Sequence, residues 1–197
     1  MAAGSDGDPK RGQRQAALIF LIGFVPVVLA TVMYFAGWGI PESRSNKGVL
    51  LDPIPGVAHL GLQTAEGRPF TDLFVPARED ATWQLLLLAP DCRAADCETA
   101  LYNMRQVNRA LGRDVHRVER AAWLAGDHDL LGQYPGARAV KPGPEGLPED
   151  VPGLEGAGYQ IYVIDPLGNM VLRYGPEHGG DAMLDDLEHL LKLSNIG

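Results

Sequence analysis

Cys92 and Cys97 are the two cysteines of a 197-residue chain, and four residues, Arg93, Ala94, Ala95 and Asp96, separate them. Two thiols this near in sequence can form one redox couple or give one metal ion two soft ligands. They are too few for a disulfide framework or a four-thiolate zinc site. An imidazole would complete a thiolate set for copper, with zinc as the competitor. The chain has five histidines. His128 and His178 each follow an apolar, strand-like segment, and His128 with Cys92 and Cys97 makes the candidate metal set. His59, His116 and His189 fall in an arm, at a strand start and on a helix surface, where an imidazole is ordinarily solvated. Asp91, Asp96 and Glu98 oppose thiolate formation by like charge, whereas Arg93 and a nearby helix start favour it.

What the pair can do depends on where the helix begins. With Asp91 as the cap and both cysteines helical, they would stand roughly 140° apart, with α-carbons about 8–9 Å apart. A disulfide needs about 4.4–6.8 Å. With Asp96 as the cap, Cys92 lies in a turn that can fold back on Cys97 at the first helical position, and a bond can close. An inert disulfide that only stabilises the turn is the plain alternative to redox or metal chemistry.

The elements around the pair are a strand and a helix. Trp83 to Ala89 is a continuous apolar run, the pattern of a strand covered on both faces, and Pro90 and Asp91 end it. Leu101, Met104, Val107 and Leu111 recur at helical spacing, and Gly112 supplies a left-handed stop. Val115 to Leu124 reads as a second strand, parallel to the first because a helix intervenes. Asp127 to Tyr134 reads as a short helix capped by Asp127, and the proline- and glycine-rich stretch from Pro135 to Gly158 as a long loop. Tyr159 to Ile164 and Met170 to Tyr174 flank Asp165-Pro166-Leu167-Gly168-Asn169, a hairpin turn. A helix from Asp181 to Leu193 closes the chain, with Met183, Leu184, Leu187, Leu190 and Leu191 on one face.

Ahead of this lie three further segments. Residues 1–15 are small and polar, an unstructured tail. Residues 16–40 carry no charge over a length that crosses a hydrocarbon core of roughly 30 Å, with Tyr34 and Trp38 near the far end. A cleaved signal peptide would have an apolar core of about 7–15 residues and a small-residue cleavage site, so an uncleaved anchor fits better. Lys10, Arg11 and Arg14 precede the span, against Arg44 and Lys47 after it, which puts the N-terminus in the cytoplasm and the domain in the periplasm. Residues 41–56, rich in proline and glycine, form an extended arm, and residues 57–197 the domain. A segment from Val57 to Gln63, the turn at Gly67-Arg68-Pro69 and Phe70 to Leu73 would make an added N-terminal hairpin. A formal net charge of −8 with a pI near 5.0 argues against a nucleic-acid partner.

The predicted order, with its two-cysteine turn between strand and helix, is that of an α/β, thioredoxin-like domain with an N-terminal hairpin, preceded by one transmembrane helix. From Val57 to Leu193 the chain resembles the Sco/SenC/PrrC group of copper-dependent oxidase assembly factors. It is similar in particular to the membrane-anchored, Sco-like proteins encoded beside bacterial cytochrome c oxidase genes, through DPLGNMVLRY, DLEHLLKLSNIG and VNRALGRDVHRVERAAW. The resemblance implies a bacterial inner-membrane protein that serves oxidase assembly by thiol–disulfide exchange or copper handling. Cytochrome c oxidase subunits or copper-site assembly factors would be its partners, and Cys92 and Cys97 would carry the chemistry. Two departures stand out. The copper-binding members separate their thiols by three residues, and their ligand histidine precedes the closing Ile161-Tyr162-Val163-Ile164 strand at the place held here by Ala157. A non-catalytic, membrane-tethered interaction module is the competing reading. A peroxiredoxin-type peroxidase is disfavoured, because Leu87-Leu88-Ala89-Pro90-Asp91 lacks that family's approach to the active thiol.

Overall fold

The computed structural model describes residues 9–36, 46–74, 82–91, 94–126 and 128–194, the side chains of 9–11, 94, 95, 128 and 129 excepted. The chain divides into two compact units, Met1–Ser45 and Asn46–Gly197.

Among the described residues the first unit is one helix, α1 (Pro9–Ala36). Its stretch Gly12–Ala36 is long and apolar enough to cross a membrane, and its side chains are uncovered, Leu18 at 61% and Phe35 at 83% exposure. The helix begins inside the stretch expected to be a structureless tail. A proline at the first helical position gives up an amide that has no intrahelical partner anyway. The expected end of the span, residues 37–40, lies outside the described residues.

The second unit is built on a seven-stranded sheet: β1 (Val49–Leu50), β2 (Leu62–Thr64), β3 (Trp83–Ala89), β4 (Val118–Leu124), β5 (Ala137–Pro142), β6 (Gln160–Ile164) and β7 (Met170–Tyr174). Their spatial order is β1-β7-β6-β3-β4-β5-β2. β3 and β4 are parallel from Trp83↔Val118 to Ala89↔Leu124, and β5 continues the parallel set beside β4. β6 runs antiparallel to β3, and β7 antiparallel to β6. Its described residues also form three α-helices, α2 (Ala94–Ala110), α3 (His128–Gly132) and α4 (Gly180–Leu193).

The central strand is apolar throughout because both faces are covered. Leu85 and Leu87 join Leu101, Met104, Met183 and Leu187 in one cluster, beneath α2 and α4. Leu86 and Leu88 join Leu60, Phe70, Phe74 and Tyr162 in a second cluster on the opposite face. All four leucines are fully buried, each contributing about 2 kcal/mol of hydrophobic stabilisation.

Four segments differ from the sequence reading. Ala137–Pro142, inside the expected long loop, is strand β5. Within it only Val140 is buried, so no hydrophobic pattern marks it, and its ladders to β4 and β2 hold it instead. β2 pairs with β5, and the expected N-terminal hairpin reduces to a single Gln63↔Pro69 bridge, after which Phe70–Phe74 forms a 3-10 turn. The second strand starts at Val118, behind a 3-10 turn over Gly112–Arg117. Asn108 Nδ2 donates to the Val118 carbonyl (2.7 Å) and Arg117 Nη1 to the Leu191 carbonyl (3.0 Å), fastening that turn to α2 and α4. Finally, the part of the arm from Asn46 onward belongs to the domain: β1 pairs with β7, and the amides of Lys47 and Gly48 donate to the Asp186 carboxylate. Gly112 (φ 57°) and the Asp165–Asn169 turn fulfil the sequence expectation, with Asp165 Oδ1 accepting the amides of Leu167 and Asn169.

Candidate functional site at the strand-to-helix turn

β3 ends at Ala89, where the parallel pair closes, and the Ala125 amide donates to the Ala89 carbonyl (2.9 Å) to fasten the ends of β3 and β4 together. Pro90 and Asp91 are exposed. α2 includes Ala94 and Ala95, so Asp96 lies inside the helix and does not cap it, and Cys97 is the fourth residue of the described span. Alanines are strong helix formers, and they carry the helix back past Asp96. Cys97 is fully buried in the cluster shared with Ala89, Ala100, Tyr134 and Tyr159. It is disulfide-bonded. With two cysteines in the chain and neither one free, Cys92 is its partner; Cys92 itself lies outside the described residues.

The surroundings of Cys97 are apolar beneath and acidic above. Asp96 and Glu98 are exposed beside it. Tyr134 Oη donates to the Glu98 carbonyl (3.4 Å). Burial, then the charge of Glu98, raises the Tyr134 phenol above the ordinary tyrosine range. Burial, then Asp96 and Glu177, does the same to Tyr159. Such a field works against thiolate on α2, and the helix start works for it.

Antiparallel pairing of β6 with β3 ends at Leu88↔Gln160, so the residues before Gln160 must run beside those after Ala89. They do: a Cβ built on Gly158 would stand 3.3 Å from the Asp91 carbonyl oxygen. The place where the resembling family carries its histidine is therefore next to the thiol turn, and Ala157 occupies it.

The histidines are spread out. His128 opens α3, after the C-terminal end of β4, with its side chain outside the described residues. His178 is mostly covered; its Nδ1 accepts the Gly175 amide (3.1 Å) and its ring packs edge-on against Tyr174. His59 Nε2 meets Asp150 Oδ1 (2.8 Å). Among the described residues no group of three His, Cys, Asp or Glu side chains is placed to hold a metal ion.

One feature beside the turn has no signal in residue spacing. Pro90, Trp123, Leu147, Val151 and Leu154 line a groove of about 440 Å³, with Glu149 and Glu155 also on its lining. Only the clustering of Leu147, Val151 and Leu154 among prolines hints that this stretch folds back onto the sheet.

A family model described as transmembrane-like, thioredoxin-like, C-terminal domain matches residues 83–194, and one described as transmembrane-like, N-terminal domain matches residues 7–37. Among solved structures, the domain is similar to apo Sco1 from Thermus thermophilus (TM-score 0.52, 17% identity, 76% of this chain and 99% of that one). It is also similar to yeast Sco1 with copper bound (TM-score 0.51, 14% identity, 68% and 91%). Arabidopsis thaliana ScoI with copper bound gives a TM-score of 0.50 at 14% identity, over 68% and 97% of the two chains. No curated protein matches. The chain belongs to the transmembrane-like, thioredoxin-like family, with a single-pass membrane anchor and a domain of Sco-like, thioredoxin-like fold.

Proposed function

We propose that this protein is a periplasmic thiol–disulfide exchange factor, anchored in a bacterial inner membrane and serving cytochrome c oxidase assembly, with Cys92 and Cys97 as its working pair. The observation that carries the reading is the closed cysteine pair at the end of β3 and the start of α2, with Ala157 where the resembling copper-binding proteins have a histidine. Cys97 is buried and suits the resolving role; Cys92 is then the attacking thiol. In the reduced protein, Cys92 thiolate attacks a client disulfide and releases one client thiol. Cys97 then attacks the mixed disulfide, releasing the second client thiol and closing the pair. The client gains two electrons and two protons as the factor becomes oxidised, and a dithiol reductant must reopen the pair for another turn. A client whose copper ligands are cysteines needs them reduced before metal can enter. Lys10, Arg11 and Arg14, in the first turns of α1 and ahead of its uncharged stretch, support the proposed orientation.

The test is a Cys92→Ser, Cys97→Ser double variant expressed in place of the native protein. Oxidase activity and oxidase copper content should fall together, and retention of both would sink the reading. Copper handling predicts in addition that the reduced chain takes up copper in an anaerobic titration, with both thiols lost to a thiol count. The competing reading, a tethered interaction module without chemistry, draws on the same Ala157. It predicts that deleting Pro142 to Pro152 harms oxidase maturation more than losing both thiols.

A further inference from the structure

The groove beside the cysteine turn has a built floor and a fixed wall. Trp123 of β4 pairs with Leu88 of β3, and Leu88 pairs on its other side with Gln160 of β6, so the three lie in one row across the sheet. Directly paired residues share a face, and Leu88 belongs to the second cluster, with Trp123 packed against it. The wall is the segment from Leu147 to Glu155. Val151 and Leu154 are buried, and the Tyr162 hydroxyl donates to the Pro152 carbonyl (2.8 Å), so the wall stays in place without an occupant. Pro90, which lines the groove, leads directly into the cysteine turn.

The charged residues among the groove's described lining are both acidic, while the Arg173 guanidinium stands against the wall at Gly153. Glu149 and Glu155 are exposed where they line the groove, and Glu145 and Asp150 stand close by in sequence, also exposed. In the same sheet row Gln160 is 3% exposed, and its Oε1 has no hydrogen-bond partner among the described residues. Adjacent strands are about 4.8 Å apart, which puts Gln160 roughly 10 Å from Trp123. An apolar cleft with Glu149 and Glu155 on it, and no cation among its described lining residues, complements an apolar side chain flanked by positive charge and N–H donors.

We propose that this groove is the docking site for the client polypeptide, and that it takes an extended segment in which a large apolar side chain is flanked by lysine or arginine. The proposal deepens the exchange reading, since a segment seated against Pro90 brings its own cysteine to the pair. Its test separates the two.

The full chain carrying Cys92→Ser and Cys97→Ser, in nanodiscs of zwitterionic lipid, is titrated into fluorescent peptides that lack cysteine and share one apolar core. One peptide has lysine flanks and the other glutamate flanks, and empty nanodiscs give the baseline. The lysine peptide should bind at least about tenfold tighter than the glutamate peptide, with the difference shrinking at high salt. Glu149→Lys with Glu155→Lys, both on exposed positions, should reverse the preference, and Trp123→Ala should weaken both peptides. Equal binding of the two peptides, or indifference to the charge reversal, overturns the proposal. So does a dimer of the chain that the same reversal dissociates, because the groove would then hold a second copy. Cysteine-bearing versions of the peptides then react with the wild-type chain. Selective docking without exchange upholds the groove and removes the exchange chemistry, whereas exchange at equal rates for both peptides overturns the groove.

Discussion

A Cβ placed on Gly158 would lie 3.3 Å from the carbonyl oxygen of Asp91, one residue before Cys92. The contact follows from the Leu88↔Gln160 pairing, which brings the entry to β6 alongside the exit from β3. A donor at residue 157 would thus stand beside the turn that leads into Cys92. Replacing Ala157 by histidine should raise the copper(I) affinity of the reduced chain by at least about tenfold, roughly 1.4 kcal/mol. Competition against a chromophoric chelator reads this directly. An unchanged affinity would mean that residue 157 does not face the thiols.

The disulfide closes a short ring of six residues, Cys92 through Cys97. Chain entropy assigns such a ring about 2 kcal/mol of stability, so reduction should lower the domain's melting temperature by roughly 4–8 °C. Cys97→Ser should cost about 1 kcal/mol more than reduction alone, because it places a hydroxyl in a fully buried apolar site. Thermal unfolding with and without a thiol reductant separates the two contributions. Equal melting of the reduced wild type and Cys97→Ser would remove the burial argument.

These effects also show which parts of the molecule were legible in the sequence. β3, β7 and α4 each carry an uninterrupted pattern, and their bounds agree closely with the expected ones, as does the apolar face of α2. β5 has one buried side chain, Val140, and is specified by its neighbours' backbones, which no local pattern records. β1 spans two exposed residues, and its attachment depends on Asp186, 138 residues downstream of Gly48. The position of the cysteine pair between β3 and α2 was legible, while the place where the helix starts was not. Cap preference offered Asp96, and helix propensity through Ala94 and Ala95 prevailed over it. The groove needs Trp123, Leu88 and Gln160 side by side, and that is a property of the sheet order alone.

Asp186 is 5% exposed and accepts three hydrogen bonds, from the amides of Lys47 (2.9 Å) and Gly48 (2.8 Å) and from the Tyr174 hydroxyl (2.8 Å). It holds the first residues of the domain against α4. Asp186→Ala strands these donors and should cost about 3 kcal/mol, with Asp186→Asn costing less because one oxygen remains. Lys47 also pairs with Asp185 on the surface, a contact that contributes little. Asp185→Ala should therefore leave stability within about 0.5 kcal/mol of wild type. Denaturant unfolding measures all three, and trypsin should cut after Lys47 faster in Asp186→Ala than in Asp185→Ala.

Alkaline pH should unfold the domain through its buried phenols. The Tyr174 proton is retained far above the ordinary tyrosine range, first by burial and then by the hydrogen bond and charge of Asp186. Tyr162, buried and bonded to the Pro152 carbonyl, is raised by burial as well. In the unfolded chain both lose their protons near pH 10. Below about pH 9 the folded and unfolded states are equally protonated at these groups, and their contribution is full and constant. Above pH 10 the unfolded chain binds fewer protons than the folded one. Stability then falls by about 1.4 kcal/mol per pH unit for each such tyrosine until the folded pKa is reached. Tyr174→Phe should lower stability at neutral pH by losing one hydrogen bond, and should reduce the alkaline slope by one tyrosine's share. A wild-type slope in that variant, measured by denaturant unfolding between pH 9 and 11, would show that Tyr174 ionises as readily folded as unfolded.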